Sequence, residues 1–172
     1  MQEEYDALLA STQYKEFIEQ HEKHMLVNAF ILYSDQYDAT WQFGFYAEDT
    51  DLITAFVIRG NQDDGFEIEQ QKADEVTKEP SAKLLPLNLD VVQKTSEQAL
   101  EIAITFIEVE YNAGAAQSKI LLLQNMAELG EVWNVTIISK TFDVMNVKVN
   151  AKNGEVVSHS QHSLLDMQAN KG

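Results

Sequence analysis

Cysteine is absent from the 172 residues, proline occurs twice and arginine once. The first absence excludes disulfides and thiolate chemistry outright. It does not endanger folding, because a chain of this length buries about 70% of its unfolded surface without any staple. With Arg59 alone beside eleven lysines, bidentate anion clamps are nearly lacking. The seven glycines stand singly, so there is no phosphate-cradling loop. There is no nucleophile elbow either. No apolar run nears the ~20 residues that span a bilayer, and no membrane insertion is expected. The start, Met1-Gln2-Glu3-Glu4-Tyr5-Asp6, lacks the basic and apolar regions of a signal peptide. A cytoplasmic location is the expectation.

Negative charge is in excess. The chain carries 28 acidic and 12 basic side chains, a net charge of −16. Residues 1–80 hold 18 acids and 5 bases (−13), whereas residues 81–172 hold 10 and 7 (−3). A field of that sign repels phosphate backbones and anionic headgroups, so nucleic acid is not an expected partner. It favours basic partners or cations, and it also serves solubility.

The apolar spacing divides the chain into helix and strand segments. Tyr5, Leu8, Leu9, Tyr14, Phe17 and Ile18 recur at three and four, as on a helix, with Ser11-Thr12 placed to break or cap it. Short apolar runs follow at Met25–Tyr33, Trp41–Ala47, Leu52–Arg59 and Phe66–Gln70, and these read as an antiparallel meander. Asp64-Gly65 marks a tight turn between the last two. A polar stretch then leads to Pro80 and Pro86, where proline removes ladder donors and marks a linker. Leu84–Val92 is expected to be extended. Thr95-Ser96-Glu97-Gln98 fits a capping box opening a second helix, with Ala99, Leu100, Ala103, Phe106 and Ile107 at helical spacing. Strand-like runs return at Lys119–Gln124, Val132–Ser139, Val144–Asn150 and Glu155–Ser158, with a turn at Asn153-Gly154.

A shift of 92 residues lays one half on the other. Trp41 falls on Trp133, Asp51 on Asp143, Val57 on Val149 and Phe30-Ile31 on Leu122-Leu123. No gap is expected from Phe30 to Ile58, and a three-residue difference then aligns Asp64-Gly65 with Asn153-Gly154. The expected fold is α+β: two tandem repeats, each a helix followed by an antiparallel sheet, with domains at 1–80 and 81–172. The two tryptophans should occupy equivalent places.

The second repeat resembles the PepSY domain family. Ser96-Glu97-Gln98-Ala99-Leu100-Glu101-Ile102-Ala103 is similar to the family's alanine-bearing helix, and Trp133-Asn134-Val135 to its tryptophan strand. Val147–Val157, with Asn153-Gly154, is similar to its closing hairpin, although Asn150 stands where the family usually has aspartate and Asn153 where threonine is common. The resemblance covers roughly residues 95–160; the first repeat joins it only through the internal match. It implies binding and inhibitory or regulatory roles beside secreted peptidases, often exported or membrane-attached, with no catalytic residues.

The histidines form two pairs three apart, His21/His24 and His159/His162. On a helix, His21 and His24 would share a face and could ligate a borderline metal, with His159 and His162 completing four imidazoles if they lay nearby. The plainer account is four exposed polar residues near element ends. The zincin pattern fails, because Met25 follows where a second histidine is required. Asn61–Gly65 has the wrong alternation for a calcium loop and reads better as a hairpin turn. Glu48-Asp49-Thr50-Asp51 reads as a solvated turn, and Phe43, Phe45, Tyr46, Phe56 and Phe66 as core and sheet face.

No constellation for acyl, phosphoryl or hydride transfer stands out, so no catalytic residue and no cofactor is assigned. The expectation is a non-catalytic binding or regulatory protein, PepSY-like, whose partner is a protein or peptide, preferably basic. Sheet edges could take such a partner by strand addition. Two alternatives remain open: an acidic cytoplasmic chaperone for an exported protein, and a small-ligand-binding domain with an apolar pocket between helix and sheet.

Overall fold

The computed structural model describes residues 1–34, 39–72, 74–75, 84–111, 116–140 and 143–163. Helices pack against antiparallel strands, an α+β architecture that divides into two compact units. Unit 1 comprises Met1–Phe30 with Thr40–Leu87, and unit 2 comprises Ile31–Ala39 with Asn88–Gly172. The expected division between residues 80 and 81, and Pro80 itself, lie outside the described residues.

In unit 1, α1 (Gln2–Ala10) and α2 (Thr12–Gln20) are separated by Ser11. Ser11 adopts an extended backbone, and its Oγ accepts from the Tyr14 N–H at 3.1 Å, capping α2. The strands β1 (His24–Ser34), β2 (Trp41–Ala47), β3 (Leu52–Asn61) and β4 (Gly65–Gln70) follow, and the order across the sheet is β4-β3-β2-β1. The last four residues of β1 belong to unit 2. A two-residue strand β5 (Asp74–Glu75), within the stretch read as linker, pairs with Leu52 and Ile53 of β3. Trp41, Phe43 and Phe45 lie opposite Ile58, Phe56 and Thr54. Alternation sends these six to one face, where α1 and α2 bury them: Phe43 meets Tyr5 at 5.2 Å between ring centroids, and Phe45 and Phe56 meet Phe17 at 6.0 and 5.5 Å. Phe43, Phe45 and Phe56 are fully buried core, whereas Tyr46 and Phe66 are partly exposed on the sheet.

Residues 84–87 of unit 1 and Asn88 of unit 2 carry no regular structure, and Leu89–Val91 of unit 2 form a single 3-10 turn, where an extended segment was expected. The helix α3 (Ser96–Tyr111) opens with the expected capping box: Thr95 Oγ1 accepts from the Gln98 N–H at 3.3 Å, and Gln98 Oε1 accepts from the Thr95 N–H at 3.1 Å. Its buried residues Ser96, Ala99, Ala103 and Ile107 form one stripe facing the sheet. Small residues at three of those places let the helix lie close. The strands β6 (Ala116–Met126), β7 (Gly130–Ser139), β8 (Asp143–Asn150) and β9 (Val156–Ser163) form a meander in sequence order. Trp133, Val135 and Ile137 of β7 face Val149, Val147 and Met145 of β8, all buried beneath α3.

The internal match holds in β2 and β7, where Trp41 and Trp133 take the same register position on the helix-covered face. It does not hold ungapped through the next strand. Trp41 pairs with Ile58 but Trp133 with Val149, so β3 corresponds to β8 at a shift of 91. The reason is the turn: Glu48–Asp51 puts four residues between β2 and β3, whereas three separate Ser139 from Asp143. A slip of one residue exchanges the faces of a strand. Phe56, not Val57, is therefore the counterpart of a buried β8 valine, Val147.

Candidate functional site

Antiparallel order returns the β2–β3 turn to the end of the sheet where β1 begins and α2 finishes. Glu19, Gln20, Glu22, Lys23, Glu48 and Asp49 there line an open depression of about 520 Å³. Four of the six are acids and one is a base. The C-terminus of α2 adds the negative end of its dipole, and its last turn holds no basic residue. The Lys23 carbonyl accepts from the Glu48 N–H at 3.0 Å, which ties the turn to the strand entrance. The depression suits a cationic group and repels an anionic one.

His21 and His24 lie beside it, but not as the helix spacing predicts. His21 caps the end of α2 with φ −127°, and His24 already belongs to β1, so the shared helix face does not exist. His21 Nδ1 is 3.0 Å from Asp49 Oδ2. His24 Nδ1 is 2.8 Å from the His21 carbonyl, an acceptor only, so that nitrogen bears the hydrogen. In neutral His24 the lone pair then rests on Nε2, which accepts from the Tyr14 hydroxyl at 3.3 Å. Phe17 holds both rings, at 4.8 Å from His21 and 5.6 Å from His24. With His24 Nδ1 engaged by the His21 carbonyl, a metal on His24 would have to displace the Tyr14 hydroxyl from Nε2. The bond from His21 is the main cause holding the Asp49 carboxyl below its ordinary value, aided by backbone N–H donors and opposed by slight burial.

His159 and His162 both lie on β9, where a spacing of three puts them on opposite faces. His159 faces α3, with Nδ1 at 2.5 Å from the Tyr111 hydroxyl and its ring 4.7 Å from Phe106. Among the described residues no group of three His, Cys, Asp or Glu side chains is arranged to hold a metal ion.

In unit 2 the three segments that carry the PepSY resemblance converge. The Trp133 indole N–H donates to the Lys94 carbonyl at 2.8 Å, just ahead of α3. The N–H groups of Gln93 and Lys94 both donate to the Ala151 carbonyl at 2.9 Å, in the β8–β9 turn. Gly154 of that turn, at φ +80°, lies so close that an added Cβ would sit 3.1 Å from both Ile102 Cδ1 and Lys94 Cε. Burial tends to raise the Glu97 carboxyl pKa, but hydrogen bonds from its own N–H, Thr95, Ser96 and Tyr33 outweigh this and lower it.

Glu48–Asp51 is the solvated turn that the sequence indicates, and the structure adds its meeting with Glu19 and Glu22. The topological signal was present: an up-and-down meander puts the second turn beside the first strand's entrance.

No helix among the described residues is long and apolar enough to cross a membrane. No protein-family model matches the chain, and no curated protein does. Among solved structures it is similar to the crystal structure of a putative lipoprotein from Clostridium difficile 630. The TM-score is 0.51 and the identity 16%, over 87% of this chain and 90% of that one. At that identity the two share a fold, and nothing narrower follows.

Proposed function

We propose that the chain is a non-catalytic binding or regulatory protein of the PepSY-like kind, whose partner is a basic protein or peptide. The observation that carries the reading is the meeting of helix start, tryptophan and hairpin around Lys94 and Ala151. The residues by which the second half resembles that family are thus spent on joining helix to sheet. The preference for a basic partner draws support from the carboxylates Glu19, Glu22, Glu48 and Asp49 and from the −16 net charge.

Immobilised chain presented with basic, neutral and acidic short peptides tests the reading. Basic peptides should be retained at low salt and released at high salt, while acidic ones pass through. Equal retention of all three, or retention of acidic peptides alone, would overturn it.

A further inference from the structure

The last strand of a sheet presents unpaired N–H and C=O groups. In unit 1 that strand is β4, and it is guarded. Gln13 Nε2 donates to the Ile68 carbonyl at 3.0 Å, and Glu67 and Glu69 stand exposed along it. In unit 2 it is β9, Val-Val-Ser-His-Ser-Gln-His-Ser, with no proline, lysine or carboxylate. Among the described residues, β8 is the one strand hydrogen-bonded to β9. Every second residue of β9 therefore turns its N–H and C=O outward.

The end of α3 lies over this strand, fixed by the contacts of Tyr111 and Phe106 with His159. Glu110 follows Phe106 by one turn and so shares its side of the helix. Glu108 and Glu110 are both exposed, and the last turn of α3 has no basic residue. Carboxylates at the negative end of a helix dipole are unfavourable, and a cation placed there relieves them.

We propose that the outer edge of β9, unpaired among the described residues, is the docking edge, and that its occupant is an extended basic segment of the partner, added as a further strand. This rests on the reading of the chain as a protein- or peptide-binding module, and adds where and how the partner sits. Main-chain hydrogen bonds to β9 supply the affinity. Alternation puts every second partner side chain on the side of α3, where lysine or arginine meets Glu110. A second copy of this chain fits less well, since its β9 brings no cation and its own α3 brings two more carboxylates.

The test is residue-resolved hydrogen exchange of the full chain with a short alternating lysine–valine peptide, and with its glutamate–valine counterpart. Alternate amides within Val156–Ser163 should gain protection with the first peptide and not the second. Glu110→Lys should weaken binding about two- to fivefold, and Glu67→Lys on the guarded edge should leave it unchanged. Protection of those amides in the free protein overturns the proposal, as does protection that grows with protein concentration alone. Peptide binding mapped to β4 or to the depression beside α2 overturns the β9 assignment while leaving the binding reading intact. Failure to bind any basic peptide overturns both.

Discussion

The side-chain oxygens of Asn61 and Asn150 close the same turn in the two units. Asn61 Oδ1 accepts from the N–H groups of Asp63 and Asp64 at 2.8 and 2.9 Å, and Asn150 Oδ1 from those of Lys152 and Asn153 at 3.0 and 3.1 Å. Four residues beyond each asparagine stands a glycine with positive φ, Gly65 at +90° and Gly154 at +80°. An acceptor oxygen is what the turn requires, which aspartate supplies as well as asparagine.

Asn150→Ala should therefore cost about 1 kcal/mol of stability, and Asn150→Asp should stay within about 0.5 kcal/mol of the parent. Urea unfolding measures both. A loss from Asn150→Asp as large as that from alanine would contradict the acceptor role.

Glycine is needed for space at two places in unit 1. A Cβ on Gly44 would lie 2.6 Å from Asn28 Oδ1, a side chain able to move. On Gly60, with φ +91°, a Cβ would collide with the carbonyl of Gly65, which is backbone. Gly60→Ala should cost about 2–3 kcal/mol and Gly44→Ala about 1. Adding Asn28→Ala should recover much of the second loss. Equal costs at both glycines in thermal melts would contradict this account.

Trp133 is fully buried and its indole N–H holds the Lys94 carbonyl. Trp133→Ala should cost about 3–5 kcal/mol. Trp133→Phe keeps most of the packing but orphans that carbonyl, and should cost about 1–3 kcal/mol. Denaturant midpoints separate the two. A phenylalanine variant as stable as the parent would show that the bond contributes nothing.

Four side chains link stability to pH through shifted titrations. Asp49 and Glu97 lie below their ordinary values of 3.8 and 4.5, so their contribution is present above those values and is lost as pH falls through the lower folded ones. Tyr5 is raised above 10.0, chiefly by burial and also by Tyr14 and Asp6, and Tyr14 is raised by burial. Their contribution is present below pH 10 and is lost as pH rises through the raised folded values. His21→Ala should lessen the acid loss that Asp49 causes, and Tyr5→Phe the alkaline loss. Melting temperatures across pH that keep both losses unchanged in these variants would contradict the assignment.

Local chemistry was readable in the sequence, and long-range placement was not. The Thr95–Gln98 capping box, the Ser11 break and the bounds of Trp41–Ala47 follow from a few adjacent residues, and each appears in the structure. The one-residue difference between the β2–β3 and β7–β8 turns has no local signature. It is visible only in the register, and it moves the match of Val57 to the wrong face. His21 and His24 were misplaced for a related reason. The helix period was carried past Gln20, although Phe17 already spends the last buried position of α2. The depression beside α2 needs residues nearly 30 positions apart, so spacing alone does not reveal it.

The proposal that the chain binds a basic protein or peptide stands or falls on its partner. Affinity capture from the native organism, repeated at low and high salt, tests it most directly. The account predicts one basic protein partner, recovered at low salt and lost at high salt. Recovery of no protein, together with a small molecule released when the chain is denatured, would contradict it.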